Sequence, residues 1–311
     1  MTACDAMKLE GIHHITAITG DAPRNVDFYT RVLGLRLVKK SVNQDDPTVY
    51  HLFYADEQGS AGSDLTFFEY PGAAPGRAGR GMVHRITWRV ASDDALSFWA
   101  ERLADEGAQV DRVSAGDGFA LRFRDPEGLE HELAVDGSGD DPLIADHPEV
   151  PAEHALRGFD GVRAYTQDAE QSRALLEGAL AFEPAGDGWE IRGERRGSTY
   201  AYDPPPDAAG IQGAGTIHHV AWASPMEDHE AWREQVLHAG GRPTPVIDRF
   251  YFRSVYFREP SGVLFEIATI GPGFATDEPQ ESLGQKLALP PAYEHLREQI
   301  ERTVTPLPPT R

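Results

Sequence analysis

Thr216-Ile217-His218-His219-Val220-Ala221-Trp222 repeats the pattern of Gly11-Ile12-His13-His14-Ile15-Thr16, an alternating run with a histidine pair inside it. Two further segments alternate in the same way without the pair: Met82-Val83-His84-Arg85-Ile86-Thr87-Trp88 and Gly158-Phe159-Asp160-Gly161-Val162-Arg163. Alternation with a period of two reads as a β-strand. Self-similarity at four places reads as a repeat architecture.

A helix pattern follows each strand. In the second unit Ser92 can cap, Ala95, Phe98, Trp99 and Leu103 recur at helical spacing, and Gly107 ends the run. The fourth has Ser224 as the expected cap, Pro225 at the first turn, Glu227 completing a capping box and Gly240 as the stop. The first helix is expected from about Asp21 to Gly34, the third from about Asp168 to Leu180 with Gly178 interrupting it. Units two and four then close on matching hairpins, Arg124-Asp125-Pro126-Glu127-Gly128-Leu129-Glu130-His131-Glu132-Leu133 and Arg258-Glu259-Pro260-Ser261-Gly262-Val263-Leu264-Phe265-Glu266-Ile267. Pro and Gly occupy the turn in both, and a Glu recurs at the same later position. The prediction is an α+β chain of four βαβββ units. Its expected partition is 1–140 (units one and two), a linker at 141–157, 158–270 (units three and four) and a tail at 271–311.

The bulk properties narrow the function classes. The formal net charge is −21, and a polyanion would be repelled rather than release counterions on binding, so nucleic acid is not an expected partner. No apolar run approaches the ~20 residues of a membrane span, so no membrane is expected either. Cys4 is the only cysteine, which leaves no disulfide framework and no thiolate cluster. The expected location is the cytoplasm. Low Lys with abundant Asp and Glu fits a GC-rich genome or a halophilic host. A homo-oligomer stays open.

Alternate residues of a strand face opposite ways, so the two histidines of a pair cannot share a cavity. In unit two His84, Ile86, Trp88 and Val90 form a mainly apolar series, which leaves Val83, Arg85, Thr87 and Arg89 facing a concavity. By register His14 and His219 stand where Arg85 stands, and Glu266 is the natural third ligand of a divalent first-row metal. Tyr256 and Glu266 lie five residues either side of Ser261 and should be cross-strand neighbours. Arg249 and Arg253 are near enough in sequence to set positive charge against an anionic intermediate. For one ion to meet both histidines, units one and four must pack together, as must two and three. In unit two, Glu132 has the hairpin position of Glu266, with Arg85 and Arg122 in place of a His and a Tyr, so an ion-paired, metal-free counterpart is expected. His51, His131, His147, His154, His229, His238 and His295 lack any such pairing and are expected to be structural or solvent-facing. The acidic and Arg-rich tail is expected to be a solvated face.

The repeats, both histidine pairs and the Glu hairpin resemble the vicinal oxygen chelate superfamily, whose units pair into two open barrels. Within it the chain resembles the ring-cleaving dioxygenases of hydroquinones, through Tyr50-His51-Leu52-Phe53-Tyr54-Ala55-Asp56-Glu57, the Tyr256–Glu266 hairpin, Gly273-Phe274-Ala275-Thr276-Asp277-Glu278 and Ser282-Leu283-Gly284. The resemblance implies Fe(II), with Mn(II) as the alternative ion, held by His14, His219 and Glu266. It implies an aromatic diol and O2 as substrates. It also implies supporting roles for His13, Tyr256 and Arg249, in moving protons or stabilising an oxyanion, and for His218; His218 and, on nearness in sequence, Arg253 are the expected substrate-binding residues. Two rivals remain at this level. One is a glyoxalase-type isomerase with a fourth protein ligand, against which aligning the Gly62 turn with Gly262 places Thr66, not Glu69, opposite the Glu266 position. The other is a non-catalytic binding protein of the bleomycin-resistance kind.

Overall fold

The computed structural model describes residues 7–116 and 118–309; Cys4 lies outside them. Unit one comprises β1 (Ile12–Thr19), α1 (Ala22–Asp27), β2 (Arg36–Asn43), β3 (Asp46–Ala55) and β4 (Asp64–Glu69). Unit two comprises β5 (Val83–Val90), α2 (Asp93–Asp105), β6 (Asp111–Ala115), β7 (Gly118–Arg124) and β8 (Glu130–Val135). Unit three has β9 (Phe159–Tyr165), α3 (Glu170–Arg173), β10 (Glu183–Ala185), β11 (Gly188–Arg192) and β12 (Gly197–Asp203). Unit four has β13 (Ile217–Ser224), α4 (His229–His238), β14 (Ile247–Asp248), β15 (Phe252–Arg258) and β16 (Leu264–Pro272).

Two eight-stranded sheets result, ordered β14-β15-β16-β13-β1-β4-β3-β2 and β10-β11-β12-β9-β5-β8-β7-β6. Units one and four share the first sheet and units two and three the second, as the ligand geometry requires. In every unit the first strand runs parallel to the last, and the first strands of paired units meet antiparallel at the seam, β1 against β13 and β5 against β9. The ladders give the repeat register directly. Thr16 pairs with Thr66, Thr87 with Glu132 and Ala221 with Glu266, so those three last-strand residues occupy one equivalent position.

The helices cover the outer faces through apolar stripes. Ser92 caps α2 by accepting the Ala95 N–H, and Ala95, Leu96, Trp99 and Leu103 are its buried residues. The expected run of the first helix continues past α1 as a π-turn over Phe28–Val32, and the third does likewise over Ala174–Ala179. Helix α4 corrects the sequence reading. It starts at His229 rather than beside Ser224, because Ser224 still pairs with Thr269 in the sheet and its hydroxyl donates to the Pro225 carbonyl.

The two Pro–Gly turns cross-link successive units. Asp125 accepts the backbone N–H groups of Glu127 and Leu129 and the Tyr29 hydroxyl of unit one. Glu259 accepts those of Ser261 and Val263 and the Ser172 and Tyr202 hydroxyls of unit three. The fully buried His131 lies beside the first of these, taking a bond from Trp88 Nε1 at its Nδ1 (3.1 Å) and meeting the Tyr29 hydroxyl with Nε2 (3.0 Å). Burial pushes His131 down to about 3, so it is neutral in the fold. The unfolded chain, with an ordinary histidine near 6.5, binds the extra proton first, and stability falls as pH drops from about 6.5 toward 3. Burial likewise raises Asp125 to about 6, which offsets part of that loss between about 4 and 6. The expected loss from His131 is half of ~1.4 kcal/mol per pH unit at 6.5 and approaches ~1.4 about a unit lower. Denaturant midpoints from pH 7.5 to 5.5 should show a shallower slope in His131→Leu than in the parent protein.

The tail does not form a solvated face throughout. Lys39, fully buried in β2, ion-pairs with Asp277 at 2.8 Å and with Glu278. Tyr251 donates its hydroxyl to Asp277, and the Lys39 ammonium lies 4.9 Å from its ring centroid. Phe274, Leu283, Leu289 and Ile300 are buried, the last in helix α5 (Arg297–Thr303).

Candidate metal centre

Three strands deliver three donors to one point. His14 from β1, His219 from β13 and Glu266 from β16 are buried and form the one His/Cys/Asp/Glu group among the described residues that could hold a metal ion. The His14 Nε2–Glu266 Oε2, His219 Nε2–Glu266 Oε2 and His14 Nε2–His219 Nε2 separations are 3.2, 2.9 and 3.3 Å. Donors that sit ~2.0–2.2 Å from one ion, at right angles, stand about 3 Å apart. The triangle therefore fits one face of an octahedral ion. Both Glu266 oxygens are buried without a hydrogen bond of normal geometry, a costly state that an ion among the three donors would relieve.

In the first pair the outer histidine sets the tautomer of the inner one. His13 Nδ1 lies 2.9 Å from His14 Nδ1, and His13 Nε2 lies 3.1 Å from the Thr269 carbonyl. A carbonyl can only accept, so His13 Nε2 carries a proton. Burial, with His14 beside it, lowers His13 to about 3, so its Nδ1 holds a lone pair and takes the His14 Nδ1–H. His14 Nε2 is thereby left as the donor atom facing Glu266. His218 Nδ1 makes the matching 2.8 Å contact with His219 Nδ1, but His218 is exposed. Such outer partners orient a ligand ring and raise its basicity.

Burial alone would push Glu266 up, but His14 and then His219 hold it well below the usual carboxylate range. Burial pulls His14 down, and Glu266 outweighs it and leaves His14 raised. His219 is lowered, by burial first, with Glu266 opposing. Asp64, ladder partner of His14, is pushed by burial to about 8 and is mainly neutral at pH 7. Glu266 is then the anion of the triangle.

Tyr256 pairs with Glu266 across β15 and β16, as expected, and its ring lies edge-on to His219 at 5.6 Å. Burial first, and Glu266 next, hold its phenol above the ordinary tyrosine range. The Arg249 guanidinium lies 5.5 Å from the Tyr256 ring centroid and is held by Asp45 at 2.9 and 3.1 Å. The cleft above the triangle is lined by residues that include His51, Phe53, Phe68, Arg249, Tyr251, Phe252 and Tyr256.

Two site expectations change. Arg253 does not line this cleft; it is exposed, because alternation along β15 turns it away from the side that carries Phe252 and Tyr256. His51, expected to be structural or solvent-facing, does line it. Burial, with His14 and His219 next, holds its imidazole well below the ordinary histidine value. Phe53 pairs with Thr66 as Tyr256 pairs with Glu266, so His51, two residues before Phe53, shares its face. Thr16 and Thr66, outside the expected set of site residues, also stand here, Thr16 Oγ1 lying 3.0 Å from His219 Nε2 and 2.8 Å from Thr66 Oγ1.

Units two and three hold the expected ion-paired counterpart. Arg122 meets Glu132 at 2.6 Å, and Arg85 meets Glu132 at 3.4 Å and Glu130 at 2.6 Å. His84 stacks on Tyr165 and contacts Asp203 at 2.9 Å.

Residues 11–133 and 158–267 match the model of the Glyoxalase/Bleomycin resistance protein/Dioxygenase superfamily. The chain is 40% identical to "Putative ring-cleaving dioxygenase MhqA" of Bacillus subtilis (strain 168), over 97% of this chain and 100% of that one. It is 31% identical to the chlorohydroquinone/hydroquinone 1,2-dioxygenase of Sphingobium indicum, over 96% of each. A crystal structure described as a putative dioxygenase from Bacillus subtilis superposes with a TM-score of 0.91 at 39% identity, covering 97% of this chain and 99% of that one.

Proposed function

The chain belongs to the glyoxalase/bleomycin resistance protein/dioxygenase superfamily, and from that premise we propose that it opens the ring of a hydroquinone-type aromatic diol with O2, using Fe(II) held by His14, His219 and Glu266. The observation that carries this reading is the three-donor triangle with Thr66 at the position equivalent to Glu266. A four-ligand isomerase site would want a second carboxylate there. A two-histidine, one-carboxylate face leaves adjacent positions open for substrate and O2.

When bound, Fe(II) would lower the pKa of a ring hydroxyl and pass electrons from the electron-rich ring to O2. The remaining chemistry belongs to the chain. His13 and His218 hold the inner imidazoles with Nε2 toward the ion. Tyr256 Oη keeps its proton at neutral pH and can give it to an oxygen that gains charge beside Glu266. Arg249, steadied by Asp45, sets a cation against the same developing charge. Phe53, Phe68 and Phe252 wall the cleft with apolar rings and limit water.

Tyr256→Phe is expected to keep the metal and to lower kcat by ~10²–10⁴-fold, the range for loss of a proton-transfer group. Metal analysis and steady-state kinetics on one preparation check both halves. The function itself is tested with protein reconstituted anaerobically with Fe(II) and offered a panel of hydroquinones and catechols at an oxygen electrode. The expected result is O2 uptake with loss of the aromatic absorbance. No uptake with any diol, alongside isomerisation of a thiol hemiacetal, would replace this reading with the isomerase.

A further inference from the structure

We propose that His51 is a further substrate-binding residue of this site: its Nδ1 accepts a hydrogen bond from a ring hydroxyl that is not on the metal, so the cleft favours rings with a second, distal hydroxyl. This rests on the hydroquinone-type reading above and names the residue that selects diols with separated hydroxyls over those with adjacent ones.

The imidazole is held by its neighbours. Its ring centroid lies 3.9 Å from that of Phe53 and 4.5 Å from that of Phe68, so it is wedged between two apolar walls. Its Nε2 lies 2.9 Å from Thr66 Oγ1. Thr66 donates its hydroxyl proton to Thr16 Oγ1 at 2.8 Å, and Thr16 Oγ1 lies 3.0 Å from His219 Nε2. A hydroxyl has one proton. Since that of Thr66 goes to Thr16, Thr66 can only accept from His51, which puts the His51 proton on Nε2 and the lone pair on Nδ1.

No protein donor meets Nδ1 among the described residues, although His51 is part of the cleft wall. A lone pair with no proton can take only a donor. It accepts from a hydroxyl and gains nothing from an ether, a halogen or a carbonyl. The line His51–Thr66–Thr16 ends at the metal triangle, so this acceptor is fixed relative to the ion through two short hydroxyl links. A ring hydroxyl bound at the ion and a second one across the ring would then be read by two separate groups. A catechol, with both hydroxyls side by side at the metal, would leave Nδ1 without a donor.

The test reads binding without turnover. Protein reconstituted with Fe(II) and kept under argon is titrated by calorimetry with hydroquinone and with 4-methoxyphenol, which lacks the distal donor. The wild type is expected to bind hydroquinone about tenfold more tightly, the scale of one hydrogen bond to a partner otherwise left unpaired. In His51→Phe the ratio should fall to near one with iron content unchanged. In His51→Asn, whose amide can donate to Thr66 and still offer an oxygen, it should recover by at least half on a logarithmic scale. A ratio that stays near tenfold in His51→Phe overturns the proposal. So does a wild-type ratio near one. If His51→Phe does not fold, His51→Leu and His51→Asn carry the same comparison. The two readings fail separately: ring opening with an unchanged ratio in the variants sinks only the role of His51. An altered ratio with no O2 uptake sinks only the dioxygenase.

Discussion

Glu266→Gln is expected to lower metal affinity by at least ~100-fold, because loss of an outer partner of a ligand already costs about 10–100-fold and this change removes a ligand itself. The amide also removes the anion of the triangle. Both histidines would remain, held through Nδ1 by His13 and His218, but two neutral imidazoles leave the charge of a divalent ion unmatched. The fold should survive, since the glutamine exchanges a buried carboxylate without a normal hydrogen bond for a neutral group of equal size. Equilibrium dialysis against Fe(II) or Mn(II), with a thermal melt of the metal-free protein, separates the two effects. Unchanged affinity would remove Glu266 from the ligand set.

The second large effect is expected far from the metal. Lys39→Met leaves Asp277 and Glu278 without the buried ammonium between them, and removing one partner of a buried ion pair costs about 3–5 kcal/mol. Tyr251, which donates to Asp277 and also lines the cleft, links this strap to the site. The expected result is a lower denaturant midpoint together with weaker substrate binding. The triple change Lys39→Met, Asp277→Asn, Glu278→Gln should recover more than half of the stability, because no uncompensated charge is then left behind. A triple variant no better than the single one would locate the loss in packing of the lysine stem instead.

The parts of this molecule that were legible in sequence are those encoded by a local period. Alternation gave the strands. Two equivalent Pro–Gly hairpins gave the position of Glu266 and its partner Tyr256, since the residue count across a tight turn sets which side chains face each other. The requirement that His14 and His219 share an ion implies the pairing of units one and four. The ion pair of Glu132 with Arg122 follows from the same register.

What stayed hidden depends on contacts between distant segments or on competition for a single proton. Lys39 and Glu278 are 239 residues apart, and nothing local to either marks a buried pair. His51 has the same identity as seven histidines outside the site, and only the ladder of β3 on β4 turns it toward the cleft. Ser224 carries every mark of a helix cap, yet the sheet keeps it and α4 begins later. Nearness in sequence puts Arg253 beside the site, whereas strand parity turns it away.

Isotope labelling tests the central claim most directly. Fe(II)-loaded protein is given hydroquinone under ¹⁸O2 in unlabelled water, and the ring-opened product is analysed by mass spectrometry. A ring-cleaving dioxygenase puts one atom of O2 into the new carboxylate and the other into the new aldehyde, whose oxygen exchanges with water, so trapping by prompt reduction to the alcohol should give a doubly labelled product. An unlabelled product, or one with a single labelled atom after trapping, would contradict the assignment of this site to dioxygen-dependent ring cleavage.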